Sequence, residues 1–174
     1  RANSMAAVAE FASAAKSDNQ YQSRWNFGFR GGMHAPVWRS LAVHLRIVSD
    51  NLISREDSIP AVELYRVGGY GSVRGYPDYQ YALRSVTYAQ AEILAYLAQN
   101  SSVYILCDGG VGFPRRIGVS VEDRADLLGY GLGMRFTTRL GMLTVEWARS
   151  MQDVRGLGRV HVRFQSPLAM DTRL

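Results

Sequence analysis

Hydrophobic and polar residues alternate with a period of two along most of the chain. This is the spacing of a β-strand with two unlike faces. The clearest run is Trp25-Asn26-Phe27-Gly28-Phe29-Arg30, with Trp, Phe and Phe on one face and Asn, Gly and Arg on the other. Leu41, Val43, Leu45 and Ile47 alternate with Ala42, His44, Arg46 and Val48. Tyr130, Leu132, Met134 and Phe136 alternate with Gly129, Gly131, Gly133 and Arg135. Leu143, Val145 and Trp147 alternate with Thr144, Glu146 and Ala148, and Val160, Val162 and Phe164 with His161, Arg163 and Gln165. Weaker alternation predicts strands over Ser85–Leu97 and Val103–Val111. The alanine-rich stretch Met5–Lys16 is helical on propensity alone, and its neighbours make it a strand. The pattern thus predicts an all-β, antiparallel fold of about eight strands. Each approaches the roughly 9–11 residues that a membrane-crossing strand needs.

Alternation does not say which face meets water. In a soluble sheet the apolar face covers a core; in an outer-membrane barrel it meets lipid and the polar face lines the lumen. Three features favour a transmembrane β-barrel. The polar face carries glycine and large ions (Arg30, Arg46, Glu92, Asp108, Arg135, Glu146, Arg163), which a lumen accommodates. Aromatic residues on the apolar face (Trp25, Tyr130, Trp147, Phe164) fit interfacial girdles. The strands are long and spaced as in an up-and-down meander. A soluble eight-stranded barrel that binds an apolar small ligand stays open as the alternative.

Composition narrows the classes. At 174 residues one domain, 1–174, is expected. No apolar run approaches the roughly 18 residues of a membrane helix. The single cysteine, Cys107, excludes an internal disulfide framework and a cysteine-rich zinc site, and the three histidines are scattered. The net charge of +5 comes from a basic set with one lysine, Lys16; the rest is arginine, spread without a basic block. That distribution argues against nucleic acid as a partner. The chain begins at Arg1, which reads as a mature or excised segment. Enzyme chemistry finds no footing: there is no Gly-x-Ser-x-Gly elbow, and Gly129-Tyr130-Gly131-Leu132-Gly133 lies within a strand pattern and not before a helix. No cofactor is expected.

One connection, at about 49–84, is too long for a hairpin turn, and loops of that length are usually functional or disordered. It contains Gly68-Gly69-Tyr70-Gly71-Ser72-Val73-Arg74-Gly75-Tyr76, glycines and aromatics around one arginine, the composition of a compact folded loop. This segment resembles the Val-Arg-Gly-Phe/Tyr loop motif of the BamA superfamily, the outer-membrane barrels that insert or secrete proteins and include BamA, TamA and two-partner secretion transporters. Gln90-Ala91-Glu92-Ile93-Leu94 resembles the acidic strand after that loop. Val103–Gly110, with Asp108, resembles the family's hydrophobic-Asp-x-Gly strand, and Gly158–Leu168 its closing strand. The resemblance covers nearly the whole chain in the right order. It departs at the end, where Leu168 stands in the place of the usual aromatic residue and Ala169–Leu174 extend beyond.

The resemblance implies a bacterial outer-membrane location, a lipid surround, unfolded or client outer-membrane polypeptides as partners, and insertion or translocation of those clients as function. A passive outer-membrane pore is a further alternative. The family usually has 16 strands behind periplasmic POTRA domains. About eight strands, three before the loop and five after it, match the C-terminal half of such a barrel or a compact relative. Upstream POTRA domains or a second copy are therefore possible partners. The resemblance also implies that the loop folds inward and that Val73, Arg74, Gly75 and Tyr76 present Arg74 to the wall. By parity Glu92 and Asp108 face inward on adjacent strands, and a guanidinium bonds a carboxylate through two parallel hydrogen bonds. The last strand (Gly158, Val160, Val162, Phe164) is the candidate seam at which a client strand would add. Gly156 and Gly158 would weaken its pairing or mark a turn.

Overall fold

The computed structural model describes residues 4–13, 24–54, 59–98, 100–114, 124–153 and 156–166. Ten strands lie among them: β1 (Ser4–Ser13), β2 (Arg24–Pro36), β3 (Leu41–Ser54), β4 (Tyr65–Val67), β5 (Tyr81–Leu83), β6 (Ser85–Ala98), β7 (Ser101–Phe113), β8 (Ala125–Thr138), β9 (Gly141–Ser150) and β10 (Arg159–Gln165). Eight form one antiparallel sheet in the order β1-β2-β3-β6-β7-β8-β9-β10; β4 and β5 form a separate two-stranded sheet. No described helix is long and apolar enough to cross a membrane, which says nothing of strands.

All eight predicted strands are present, most of them longer than their clearest alternation. β3 runs on to Ser54, so the long connection starts later than residue 49, and residues 14–16 of the first predicted strand lie outside the described residues. Strand neighbours in the sequence pair as a meander, the topology that local hairpins favour. The turns β2–β3, β6–β7 and β8–β9 are short and fall at one end of the sheet; the long connections fall at the other. At Thr138–Gly141 the Thr138 hydroxyl donates to the Gly141 carbonyl at 2.9 Å and accepts from the Leu140 amide at 3.2 Å, which tightens the turn. The ladder ends on β1 and β10, and no pairing between them closes it among the described residues.

The sheet buries its charged face. Inward positions of β6 (Val86, Tyr88, Gln90, Glu92, Leu94) and β7 (Ser102, Tyr104, Leu106, Asp108) are buried, while Ile93 and Ile105 on the other face are 50% and 56% exposed. The cover over the inward face is the loop between β3 and β6. Its Val67, Val73, Tyr76 and Leu83 pack with Val48, Val86, Tyr88 and Leu127 of the wall. Ile59 and Leu64 pack on Leu52 in a second cluster. The loop also wraps across the sheet: the Tyr65 hydroxyl donates to Asn26 of β2 at 3.4 Å, and the Arg163 guanidinium of β10 lies 5.0 Å from the Tyr70 ring. Apolar burial against one face is what turns residues 59–84 into a compact unit instead of a surface loop.

Leu83 is 2% exposed in this cluster. Truncation to alanine should cost about 2–5 kcal/mol in loop docking. Limited proteolysis reads it: Leu83→Ala should be cut faster within residues 59–84, and an unchanged cleavage rate would mean that Leu83 does not hold the loop.

Candidate functional site: a buried arginine and three carboxylates

Arg74 sits at the tip of the loop, and its side chain is 3% exposed. Its Nε and Nη2 donate to the two oxygens of Asp108 at 2.7 and 2.6 Å, a bidentate fork. Its backbone N–H adds a third bond to the same carboxylate at 2.9 Å. Nη1 donates to Glu92 at 2.6 Å and to Glu146 at 3.0 Å. One guanidinium thus gathers carboxylates from β6, β7 and β9. Burial by itself lowers the Arg74 pKa. The hydrogen bond and charge of Asp108, with the charges of Glu146 and the bond to Glu92, outweigh burial and hold it above its ordinary value, so the cation persists at any biological pH.

Register explains the convergence. Gln90 stands opposite Asp108, so Glu92 is its diagonal neighbour on the same face of adjacent strands. Glu146 stands opposite Gly133, which stands opposite Tyr104. A methyl at Gly133 would collide with the Tyr104 ring. Its absence lets Tyr104 lie across β8 and donate to Glu146 at 2.6 Å. Gly129 does the same for the loop, since a methyl there would strike the Arg74 carbonyl oxygen. Gly75 has φ 92°, and a side chain on it would run into the backbone of Arg149 and Ser150. Val73 is fully buried, and Tyr76 pins the loop to β8 by accepting from the Leu128 amide at 3.0 Å. Ser72 accepts from the Gly68 amide at 2.7 Å, and its carbonyl accepts from Gln90 at 2.6 Å. Arg84 clasps the far end of the loop to the Leu52 and Ser54 carbonyls at 2.8 and 2.9 Å.

The cluster has an outer shell. Glu92 also faces His44 at 3.4 Å and Arg135 at 3.5 Å, and Arg135 lies 4.8 Å from the Tyr104 ring centre. The second oxygen of Glu146 is buried without a hydrogen-bond partner. The arrangement is suited to positioning. Its carboxylates are engaged by a permanent cation, and no group of His, Cys, Asp and Glu suited to a metal occurs among the described residues.

Arg74, Glu92 and Asp108 meet as the loop reading expects. Glu146 was visible only as one more inward ion. Its membership depends on the β8–β9 register, which the Thr138–Gly141 turn sets, and a hairpin count from that turn would have placed it opposite Gly133. The seam residues fare differently. Val160, Val162 and Phe164 lie on β10 and are 66%, 67% and 58% exposed. Gly158 precedes the strand with φ 76°, packed under the Trp147 indole, whose N–H donates to the Leu157 carbonyl at 2.8 Å. Gly158, like Gly156, therefore shapes the turn and does not weaken the strand. Leu168 and the residues after it lie outside the described residues. Comparison with known proteins gives no further anchor: no family model and no curated protein matches the chain.

Arg74→Ala would strand three buried carboxylates, and breaking a buried pair on one side typically costs about 3–5 kcal/mol. The loss should appear as a lower denaturant midpoint and an exposed loop, with Arg74→Lys intermediate because it keeps the charge and loses the fork. Glu146→Gln should cost less than Arg74→Ala, about 1–3 kcal/mol, since it keeps an acceptor for Tyr104 and Arg74 and replaces an unpartnered anionic oxygen by an unpartnered amide group. A Glu146→Gln protein as unstable as Arg74→Ala would contradict the assigned geometry.

Proposed function

We propose that this chain is a membrane β-barrel region of the BamA/TamA kind, working in the bacterial outer membrane to insert or translocate client polypeptides. One observation carries the membrane part: the sheet collects its charges on the buried face, and its exposed face is apolar apart from Asp126 and Arg149 at the long-connection end. The outward residues of β3 (Leu41, Val43, Leu45, Ile47, Ser49, Asn51, Ile53), β6 and β7 include no charged side chain. Trp38, Phe136 and Phe164 lie exposed towards the short-turn end, and Trp25, Phe27 and Phe113 towards the other, as two aromatic girdles would. Short turns at one end and long connections at the other fit a periplasmic and an extracellular side.

The client part rests on the loop. A folded segment fixed by Arg74 against Glu92, Asp108 and Glu146 occupies the inward face, which favours a gated device over a passive pore. β10, the shorter edge strand, offers its free side to an incoming strand. A soluble barrel with an apolar ligand is the second reading. Against it, an apolar depression of about 530 Å³, lined by Ile93, Ile105, Leu132 and Trp147, opens on the outward face of the sheet. Upstream POTRA domains would be periplasmic partners on this proposal.

Two measurements test it. The chain should need detergent or lipid to stay monodisperse, and a monodisperse preparation without either would refute the membrane reading. In vesicles, Arg74→Ala should lower the yield of a co-folded outer-membrane client several-fold with lipid partitioning unchanged; equal yields would remove the loop from the client step.

A further inference from the structure

The main sheet ends on two strands that pair on one side only, β1 with β2 and β10 with β9. Hydrocarbon offers no water to such an edge, so a spanning sheet must close. The chain's own edges are a poor match for that task. The interior of an eight-stranded barrel is just wide enough for the side chains of its own strands. Here that space holds a folded segment, residues 59–84, with its own β4–β5 hairpin and the buried Val67, Val73, Tyr76 and Leu83. The segment reaches from Asn26 on β2 to Arg163 on β10. Swinging β1 round to β10 would draw the wall tight about a body that already fills it.

Resting on the membrane reading above, we propose that a second copy of this chain completes the barrel, with β10 of each copy pairing antiparallel with β1 of the other. Topology permits it. The sheet has eight strands of alternating direction, so β1 and β10 run oppositely. A second copy in the same orientation then presents β1 antiparallel to β10, with all long connections at one end. Two such head-to-tail contacts close on a two-fold axis along the barrel. The resulting sixteen strands enclose a lumen of channel size, with room for both loops. Charge is compatible: β10 carries Arg159, His161 and Arg163, whereas the only charged residue of β1 is the acidic Glu10. The joint opposes no like charges, which would weaken it.

The test uses the full 174-residue chain refolded in detergent and in phosphatidylcholine vesicles. Light scattering corrected for detergent should give twice 19.4 kDa for the species whose gel mobility changes on boiling. In a Cys107→Ser background, one population carries Ala7→Cys and a differently tagged one carries Val160→Cys, Val162→Cys or Phe164→Cys. Oxidation of the mixture should join the two tags. A boil-sensitive species of one-chain mass, a ring of three or more copies, or failure of this chain alone to give any boil-sensitive species would each overturn the proposal. A disulfide formed within single chains of a double variant would do the same. Failure of the membrane reading is separate, because it appears as a chain that stays monodisperse without detergent whatever its copy number.

Discussion

Everything inside this sheet is arranged around one guanidinium. Arg74 is withdrawn from water, and a buried cation is tolerated only when its donors are met by acceptors in fixed places. Four side-chain bonds to Asp108, Glu92 and Glu146 do this. Because those carboxylates come from β6, β7 and β9, the requirement fixes the relative placement of four consecutive strands as well as the loop. The Coulombic gain is largely offset by desolvation of the ions. The cluster therefore specifies geometry more than it adds stability, and the apolar packing of Val73, Tyr76 and Leu83 supplies the adhesion.

The division of the sheet into two faces follows from the same need. Charged groups are collected where the loop can cover them, and Gly129 of β8 leaves the depth that the loop occupies at Arg74. What remains for the outside is mainly aliphatic and aromatic, with the charged Asp126 and Arg149 only at the long-connection end of β8 and β9. Exposed Ile93, Ile105 and Leu132 would be a liability in water. They are ordinary against lipid tails, which is why the fold and the proposed environment support each other.

Much of this was legible in the primary structure, for a physical reason. Period-two alternation is a local property, so Trp25–Arg30 and Tyr130–Phe136 declare their faces without any knowledge of partners. The loop announced itself through length and glycine content, and Arg74 through the resemblance of Val73-Arg74-Gly75-Tyr76 to a known loop motif. Other features were not local. Glu146 looks like Arg135 or Arg46 until register places it opposite Gly133. The role of Gly133 itself, making way for Tyr104, is visible only when three strands are aligned. β4 and β5 are three residues each and form against one another across the loop, too short for a periodic signal. Gly158 carried a two-sided expectation, and its positive φ decides for the turn.

The members of the ion cluster are spread unevenly along the chain. Arg74 precedes Glu92 by 18 residues, Asp108 by 34 and Glu146 by 72. The last contact has the greatest loop-closure entropy to overcome and waits on β9 being in register. The cluster is thus a record of completed assembly: it reaches its full coordination only after β6, β7 and β9 have taken their places. A half-built sheet would hold an arginine short of partners and a tether free to swing, with its backbone open to cleavage until the last strand is in register.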